Sequence, residues 1–180
     1  MGKLRYTYAV VLLLLGITFW GCTGQTEKPN GENKLDYLRG AITVKGLLSV
    51  GESDYEIELV STDGKTGKLT FSQPENMRGY VFEKADDGYY VGYGDLRVPL
   101  RADTVPGGAG MLFELLSPQN DAVTYREEKV NGIEMAVYTY PMGADGQIVL
   151  YTKKADATPL RVEFDSRLGS GVLHITQAEY

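Results

Sequence analysis

The chain has 180 residues, enough for one domain and a short leader but not for two comfortable domains. Its formal charge is −6 at pH 7; without Lys3 and Arg5 of the leader, 16 basic and 24 acidic side chains remain, which gives −8. An acidic surface argues against nucleic acid as a partner. The single cysteine excludes an internal disulfide bond, so core packing and sheet hydrogen bonds must hold the fold.

Residues 1–21 have the pattern of a secretory signal peptide. Two basic residues are followed by an apolar run from Tyr8 to Trp20 and then by Gly21. The run is shorter than the roughly 20 residues that a membrane-spanning helix needs. An uncleaved anchor helix is the alternative, and it would place the domain in the same compartment. We therefore expect a signal peptide over 1–21.

Cys22 directly follows this segment, and its position resembles the lipobox of bacterial lipoproteins. The resemblance implies that the signal is cut before Cys22 and that its thiol carries lipid, with fatty acids such as palmitate. Phe19 and Trp20 depart from the usual box, which carries Leu and a small residue there. The implied location is the extracytoplasmic face of the bacterial cell membrane, or the outer membrane where the host has one.

Residues 22–34 follow as a lipidated tether, because no apolar residue occurs from Thr23 to Lys34. The folded domain is predicted over residues 35–180. Fully extended, the tether spans about 3.3 Å per residue, so the domain can stand a few nanometres from the bilayer.

A period of two dominates this domain and predicts β-strands with one dry and one wet face. In one example, Tyr55, Ile57 and Leu59 alternate with Glu56 and Glu58. Turn signals separate the alternating segments; Asn131-Gly132 and Asp145-Gly146 are typical of tight hairpins. The pattern predicts a mainly β fold, one large curved antiparallel sheet of nine or ten strands with a few short helical pieces.

A dense apolar cluster runs from Met111 to Leu116 and ends at Ser117-Pro118. A proline just beyond the cluster fits a helix stop, so one or two helical turns are predicted there. Two interpretations remain open. The cluster either plugs the apolar face of the sheet permanently or forms a hinged lid that admits a ligand.

Several segments resemble the LolA/LolB-type lipoprotein carriers and their relatives. The run from Lys68 to Tyr80, the turn Asp87-Gly88, the aromatic strand from Tyr89 to Tyr93 and the late strand near Pro159 carry the resemblance. It implies an unclosed β-barrel of about eleven antiparallel strands with helices over a hydrophobic cavity for acyl chains or other lipids. Gln73 departs from the basic residue that the periplasmic carrier has before its proline.

The resemblance implies an acyl chain or a lipoprotein as partner, in lipoprotein or lipid trafficking. Lipid-anchored relatives include a spore-germination lipoprotein group of clostridia, so a non-enzymatic module that binds a protein partner in the cell envelope is the alternative. The candidate cavity residues are apolar or aromatic: Phe71, Tyr80, Phe82, Tyr90, Met111, Leu112, Phe113, Leu115 and Leu116. A register error of one residue would move any strand residue to the opposite face.

No residue pattern predicts an enzyme, a metal site or a cofactor. His174 is the only histidine and lies in a strand pattern without a nucleophile elbow, so an exposed strand position is expected. One histidine and one lipidated cysteine leave only carboxylates for a metal. Asp86 and Asp87 precede Gly88, where a turn needs the same residues.

Overall fold

A computed structural model describes residues 35–101, 109–115, 124–142, 146–167 and 169–180. The predicted signal peptide, Cys22, the tether, Leu116 and Asp145 lie outside these residues. The strands are β1 (Ile42–Val50), β2 (Ser53–Ser61), β3 (Gly67–Gln73), β4 (Tyr80–Ala85), β5 (Gly88–Tyr93), β6 (Leu96–Leu100), β7 (Thr124–Val130), β8 (Ile133–Met142), β9 (Gly146–Lys153), β10 (Pro159–Ser166) and β11 (Gly169–Glu179). The helix α1 is Ala109–Leu115, and 3-10 helices cover Asp36–Arg39 and Glu75–Met77.

All eleven strands form one antiparallel sheet that does not close into a barrel. Neighbours in sequence are neighbours in the sheet except for β6 and β7, which lie at opposite edges, and β11 pairs with β1 in the middle. The order therefore runs from β6 at one edge, through β1 and β11, to β7 at the other edge. This confirms the mainly β, curved and unclosed sheet. The strand number exceeds the nine or ten predicted from the alternation and agrees with the family resemblance.

Local backbone chemistry explains the hairpins. Asn131 and Gly132 both have positive φ, 51° and 83°, as a tight turn between β7 and β8 requires. At the β2–β3 turn, Asp63 Oδ1 accepts hydrogen bonds from the backbone N–H groups of Lys65 and Thr66. These turns fix the pairing register of the strands. The register in turn places alternate apolar residues on the same face of the sheet.

The main core lies on the inner face of the sheet, defined here as the face on which α1 packs. Alternating residues of nearly every strand point to it, and α1 covers part of it. Its largest fully buried apolar side chains are Phe113, Leu48, Leu69, Leu112, Ile148, Leu150, Leu173 and Val162. At roughly 1.5–3 kcal/mol for each such side chain, this burial is the main stabilising contribution to the fold.

A second, small apolar cluster lies on the outer face, where the sequence pattern predicts a wet surface. Val137, Val149 and Tyr151 are buried there, with Met135 packed beside them. The guanidinium of Arg161 lies 4.0 Å from the centre of the Tyr151 ring. A long side chain of the neighbouring strand thus covers part of this apolar surface. Period-two alternation alone does not predict an apolar cluster on the outer face.

The first 3-10 helix fixes the start of the domain to one end of the sheet. Leu38 is buried in the core, and the Tyr37 hydroxyl donates a hydrogen bond to the carbonyl of Ala157 at 3.0 Å. The Tyr37 ring also stacks on Tyr180 with 4.4 Å between ring centres. Among the described residues, none belongs to a helix with the length and apolar character that a membrane crossing requires.

Candidate ligand-binding face

The register of β4, β5 and β6 places three rows of side chains on the inner face. Each row holds one residue from each of these strands. The rows are Tyr80–Tyr93–Leu96, Phe82–Val91–Val98 and Lys84–Tyr89–Leu100. Phe82 is buried in the main core, which identifies the face that all three rows share. This part of the sheet therefore continues the apolar inner face out to the β6 edge.

Helix α1 covers the neighbouring part of the inner face, which we call the covered region. Met111, Leu112, Phe113 and Leu115, four of its seven residues, are buried in the main core. The Phe113 ring lies so close to Gly67 that a Cβ there would stand 3.2 Å from it. The absence of a side chain at Gly67 lets the helix approach the sheet.

Glu114 is the polar residue of this apolar helix, and it joins α1 to β4 and β5. Its carboxylate accepts a hydrogen bond from the Tyr89 hydroxyl at 2.7 Å. The Lys84 ammonium lies 3.3 Å from the same oxygen. A charge-assisted hydrogen bond and an ion pair at one atom form a polar clasp at the side of the helix.

Burial raises the pKa of Tyr89, and the hydrogen bond to the Glu114 carboxylate raises it further. A tyrosine held in this way stays protonated and remains a donor throughout the physiological pH range. Within that range the clasp is intact wherever the carboxylate is ionised. Tyr37, in the first 3-10 helix, also has a raised pKa, because burial disfavours its ionised form.

The space left between α1 and the sheet is small. A cavity of about 20 Å³ lies among apolar side chains of β1, β9 to β11 and α1. This is room for about one water molecule, so this cavity does not hold an acyl chain while α1 packs on the sheet in this way.

By contrast, an open patch lies on the inner face near the β6 edge, and we define it by Tyr80, Tyr93, Leu96 and Val98. Their exposed fractions are 37%, 55%, 69% and 52%. The rings of Tyr80 and Tyr93 lie 5.0 Å apart. Exposed apolar residues that are contiguous, rather than scattered singly, mark an interaction site.

The structure brings most of the sequence-predicted cavity residues onto this inner face. Phe71 and Phe82 meet edge to face at 5.5 Å between ring centres, inside the core. Tyr80 lies in the open patch, and Met111, Leu112, Phe113 and Leu115 are the buried residues of α1. These residues share a face, and their contact with a ligand stays a prediction.

Two predicted cavity residues do not join this set. Tyr90 lies on the outer face, where the Arg97 guanidinium is 3.4 Å from its ring centre and the Tyr90 hydroxyl donates a hydrogen bond to Asp87 at 2.7 Å. The physical reason is the β4–β5 register, which pairs Tyr90 with Glu83 rather than with the inner-facing Phe82. Leu116 lies outside the described residues.

Residues that the sequence prediction missed are Glu114, Lys84, Tyr89 and the edge residues of the open patch. One signal was available, since Glu114 is the only charged residue in the apolar run 111–116. A charge in such a run is costly to bury and therefore predicts a specific partner. The identity of that partner required the register of strands that lie 25 or more residues away.

Other candidate sites are weaker. A groove of about 430 Å³ on the outer face, beside β9 to β11, has mixed polar and apolar walls and does not reach α1. His174 is an exposed residue of β11, as the sequence predicts. Asp87 forms the predicted turn before Gly88. In the described part of the chain, no group of three metal-ligating side chains occurs.

No family model matches the chain. No curated protein matches it either.

Solved structures do match. An uncharacterized conserved protein from Thermus thermophilus is similar over 81% of this chain and 82% of its own, with 10% identity and a TM-score of 0.50. A LolA superfamily protein from Nitrosomonas europaea matches over 81% and 90% of the two chains, with 11% identity and a TM-score of 0.45. A putative outer membrane lipoprotein-sorting protein domain from Vibrio parahaemolyticus matches over 78% and 85%, with 17% identity and a TM-score of 0.45.

Identities this low concern the fold alone. The decisive observations are the single unclosed sheet of eleven antiparallel strands and the short helix packed on its inner face. They match the architecture that the residue motifs imply. The protein has a LolA-like fold.

Proposed function

We propose that the protein is a lipid-anchored, non-enzymatic protein of the bacterial cell envelope that binds an acyl chain on its inner face, where the chain belongs to a lipid or a lipoprotein. The observation that carries the proposal is the continuity of the apolar face. Phe82 lies in the core, Val91 beside it is partly buried, and Val98 at the edge is half exposed. An acyl chain bound to the open patch therefore touches the entrance to the covered region.

The next step is displacement of α1. The helix offers the sheet the same apolar contacts that a hydrocarbon chain would offer, so one can replace the other with little change in buried apolar area. What favours the closed state specifically is the clasp of Glu114 with Tyr89 and Lys84. In this proposal α1 is a lid, and the clasp sets how readily it opens.

Residues 35–180 include every described element of the sheet, so this segment is suited to a binding experiment. After expression in bacteria, native mass spectrometry measures co-purified lipid, and a fluorescent fatty acid measures affinity. We expect bound lipid for the wild type. Glu114→Ala should bind the fatty acid about five-fold more tightly, because removing a clasp worth about 1 kcal/mol lowers the cost of opening.

Glu52→Ala is the matched control, since Glu52 is an exposed acidic residue of the β1–β2 turn. It should leave the affinity unchanged. Circular dichroism verifies that both variants keep the β fold. If the wild type and the Glu114→Ala variant both emerge empty and bind no fatty acid, the acyl-chain proposal is wrong.

The second candidate is a protein-interaction module, favoured by the exposure of the open patch while α1 is closed. A protein partner needs no movement of the helix, and its binding would be insensitive to the clasp. In that case Leu96→Asp abolishes partner binding. Glu114→Ala leaves partner binding unchanged, and native mass spectrometry finds no co-purified lipid in either the wild type or this variant. The pair of variants thus separates the two functions.

The anchor has its own test. In cells that express the full chain, Cys22→Ser should release the protein from the membrane fraction or leave it unprocessed. An intact mass measures the loss of the lipid. A membrane fraction and a mass that match the wild type would remove the lipoprotein proposal and leave acyl binding to be judged separately.

A further inference from the structure

Lys84 is the only charged side chain on the inner face of strands β1 to β6, all of whose residues the structure describes. The other charged residues of these six strands lie on the outer face, as Glu56 and Glu58 do. The Lys84 side chain is only 19% exposed. A charge among apolar neighbours is costly unless it is paired, so this position requires an anionic partner.

Lys84 and Tyr89 are paired directly across β4 and β5, and they direct two donors to one point. The Lys84 ammonium, at 3.3 Å, and the Tyr89 hydroxyl, at 2.7 Å, both donate to the same carboxylate oxygen of Glu114. The donors belong to the sheet, whereas the acceptor belongs to α1. If the helix moves, the donors stay together and lose this acceptor.

This pair of donors lies at the rim of the inner face. It is the last inward-facing pair before the β4–β5 turn, and the next inward-facing pair is Phe82 with Val91. The third pair, Tyr80 with Tyr93, belongs to the open patch and lies about 13 Å from Lys84, four residues along the strand. An acyl chain whose head lies at Lys84 can therefore follow apolar side chains to the open patch.

We propose that Lys84 and Tyr89 form an anion subsite, in which the carboxylate or phosphate head of an acyl ligand replaces the carboxylate of Glu114. The inference rests on the proposed function, because it requires an acyl chain on the inner face. An anionic head leaves both donors satisfied, whereas a neutral head leaves the Lys84 charge unpaired. Because the head and Glu114 compete for the same donors, binding of the head also releases this side of α1.

Photoaffinity labelling of the full chain in isolated membranes tests the subsite. Three alkyl probes carry the same chain, diazirine and alkyne and differ only in the head, which is a carboxylic acid, a phosphate monoester or an alcohol. A fluorophore attached to the alkyne measures labelling, and an unirradiated sample corrects for lipid attached enzymatically. We expect the anionic probes to label the wild type several-fold more strongly than the alcohol. The stronger anionic probe identifies a fatty acid or a phospholipid as the source of the head.

The ratio of anionic to alcohol labelling is compared between variants, so differences in how the probes partition into the membrane cancel. Lys84→Gln should lower this ratio several-fold. Tyr89→Phe keeps the ring, removes one donor and should lower the ratio by a smaller factor. A purely structural role for the clasp predicts a different result, since loosening α1 raises labelling by all three probes together and leaves the ratio unchanged.

Lys68→Gln is the matched control, because Lys68 is an exposed lysine on the outer face of the adjoining strand β3. It removes the same charge and should leave the ratio as it is in the wild type. Trypsin resistance verifies that each variant is folded, and if Lys84→Gln fails this test, Tyr89→Phe decides.

The anion subsite and the acyl-binding proposal fail by different results. A wild-type ratio in both Lys84→Gln and Tyr89→Phe overturns the subsite and leaves acyl binding in place. An equal fall of the ratio in Lys68→Gln and Lys84→Gln also overturns the subsite, since it means general electrostatic attraction. If none of the three probes labels the wild type, acyl binding itself is contradicted, and the subsite falls with it.

Discussion

The covered region and the open patch belong to the same face of one sheet, yet they differ in what lies on them. In α1, which packs on the covered region, Leu112 and Phe113 are almost completely buried. At the β6 edge, Leu96 and Val98 remain largely exposed. The strands alternate in the same way in both places, so strand pattern alone does not determine burial. One seven-residue helix decides which part of the face stabilises the fold and which part is free to interact.

Matched leucine substitutions should give the largest difference between the two regions. Leu112→Ala removes a fully buried side chain and should lower the free energy of unfolding by about 3 kcal/mol. Leu96→Ala removes a largely exposed side chain and should change it by at most about 0.5 kcal/mol. Urea denaturation followed by circular dichroism measures both values.

Equal losses for the two variants would contradict this division of the inner face. A large loss for Leu96→Ala alone would mean that the open patch is covered in solution. The measurement is made at two protein concentrations, since Leu96 is exposed and could be covered by association. A loss that grows with concentration indicates association rather than a core contact.

The clasp should contribute less than the apolar contacts of α1. Glu114→Gln keeps the shape of the side chain but removes its charge, which weakens the bonds to Tyr89 and Lys84. Because the carboxylate is about one-third exposed, solvent screening limits the expected loss to about 1 kcal/mol. Hydrogen exchange of residues 109–115 should rise, while exchange of β8 and β9 stays unchanged.

Glu52→Gln supplies the comparison for charge removal at an exposed turn and should leave exchange of α1 as it is in the wild type. Faster exchange across the whole sheet in Glu114→Gln would contradict a local role for the clasp. It would mean that α1 and the sheet unfold together.

The clasp should also weaken at alkaline pH. The pKa of Tyr89 is raised in the folded protein above its ordinary value of 10.0, so the folded state holds this proton more tightly than the unfolded state. The resulting stability is complete below pH 10 and is lost as the pH rises above it. The stability difference between the wild type and Tyr89→Phe should therefore shrink above that pH. A difference that grows above that pH would mean that the folded state binds the Tyr89 proton less tightly than the unfolded state.

The sequence was sufficient for the strand segments, several turns and the helix, because each of these rests on local chemistry. Asn131 and Gly132 adopt the positive φ values that their types favour, and Met111 to Leu115 of the apolar run belong to a helix that begins at Ala109. The site was harder to predict. Face assignment at Tyr90 depended on its pairing with Glu83, and the partner of Glu114 depended on contacts across 25 residues of sequence. Long-range register decides such contacts, and composition does not encode it.

The smallest expected effect concerns the loop at the end of the sheet where the first 3-10 helix packs. Backbone N–H groups of Thr66 and Lys65 donate to Asp63 and hold the pKa of its carboxyl below its ordinary value of 3.8. Ionised Asp63 therefore stabilises the folded protein above that pH, and the contribution is lost as the pH falls through and below it. We expect Asp63→Ala to be slightly less stable than the wild type at about pH 7, and the difference to shrink as the pH falls below 3.8, as judged by urea midpoints. A difference that persists at the acidic pH would mean that Asp63 acts through loop packing rather than through its charge.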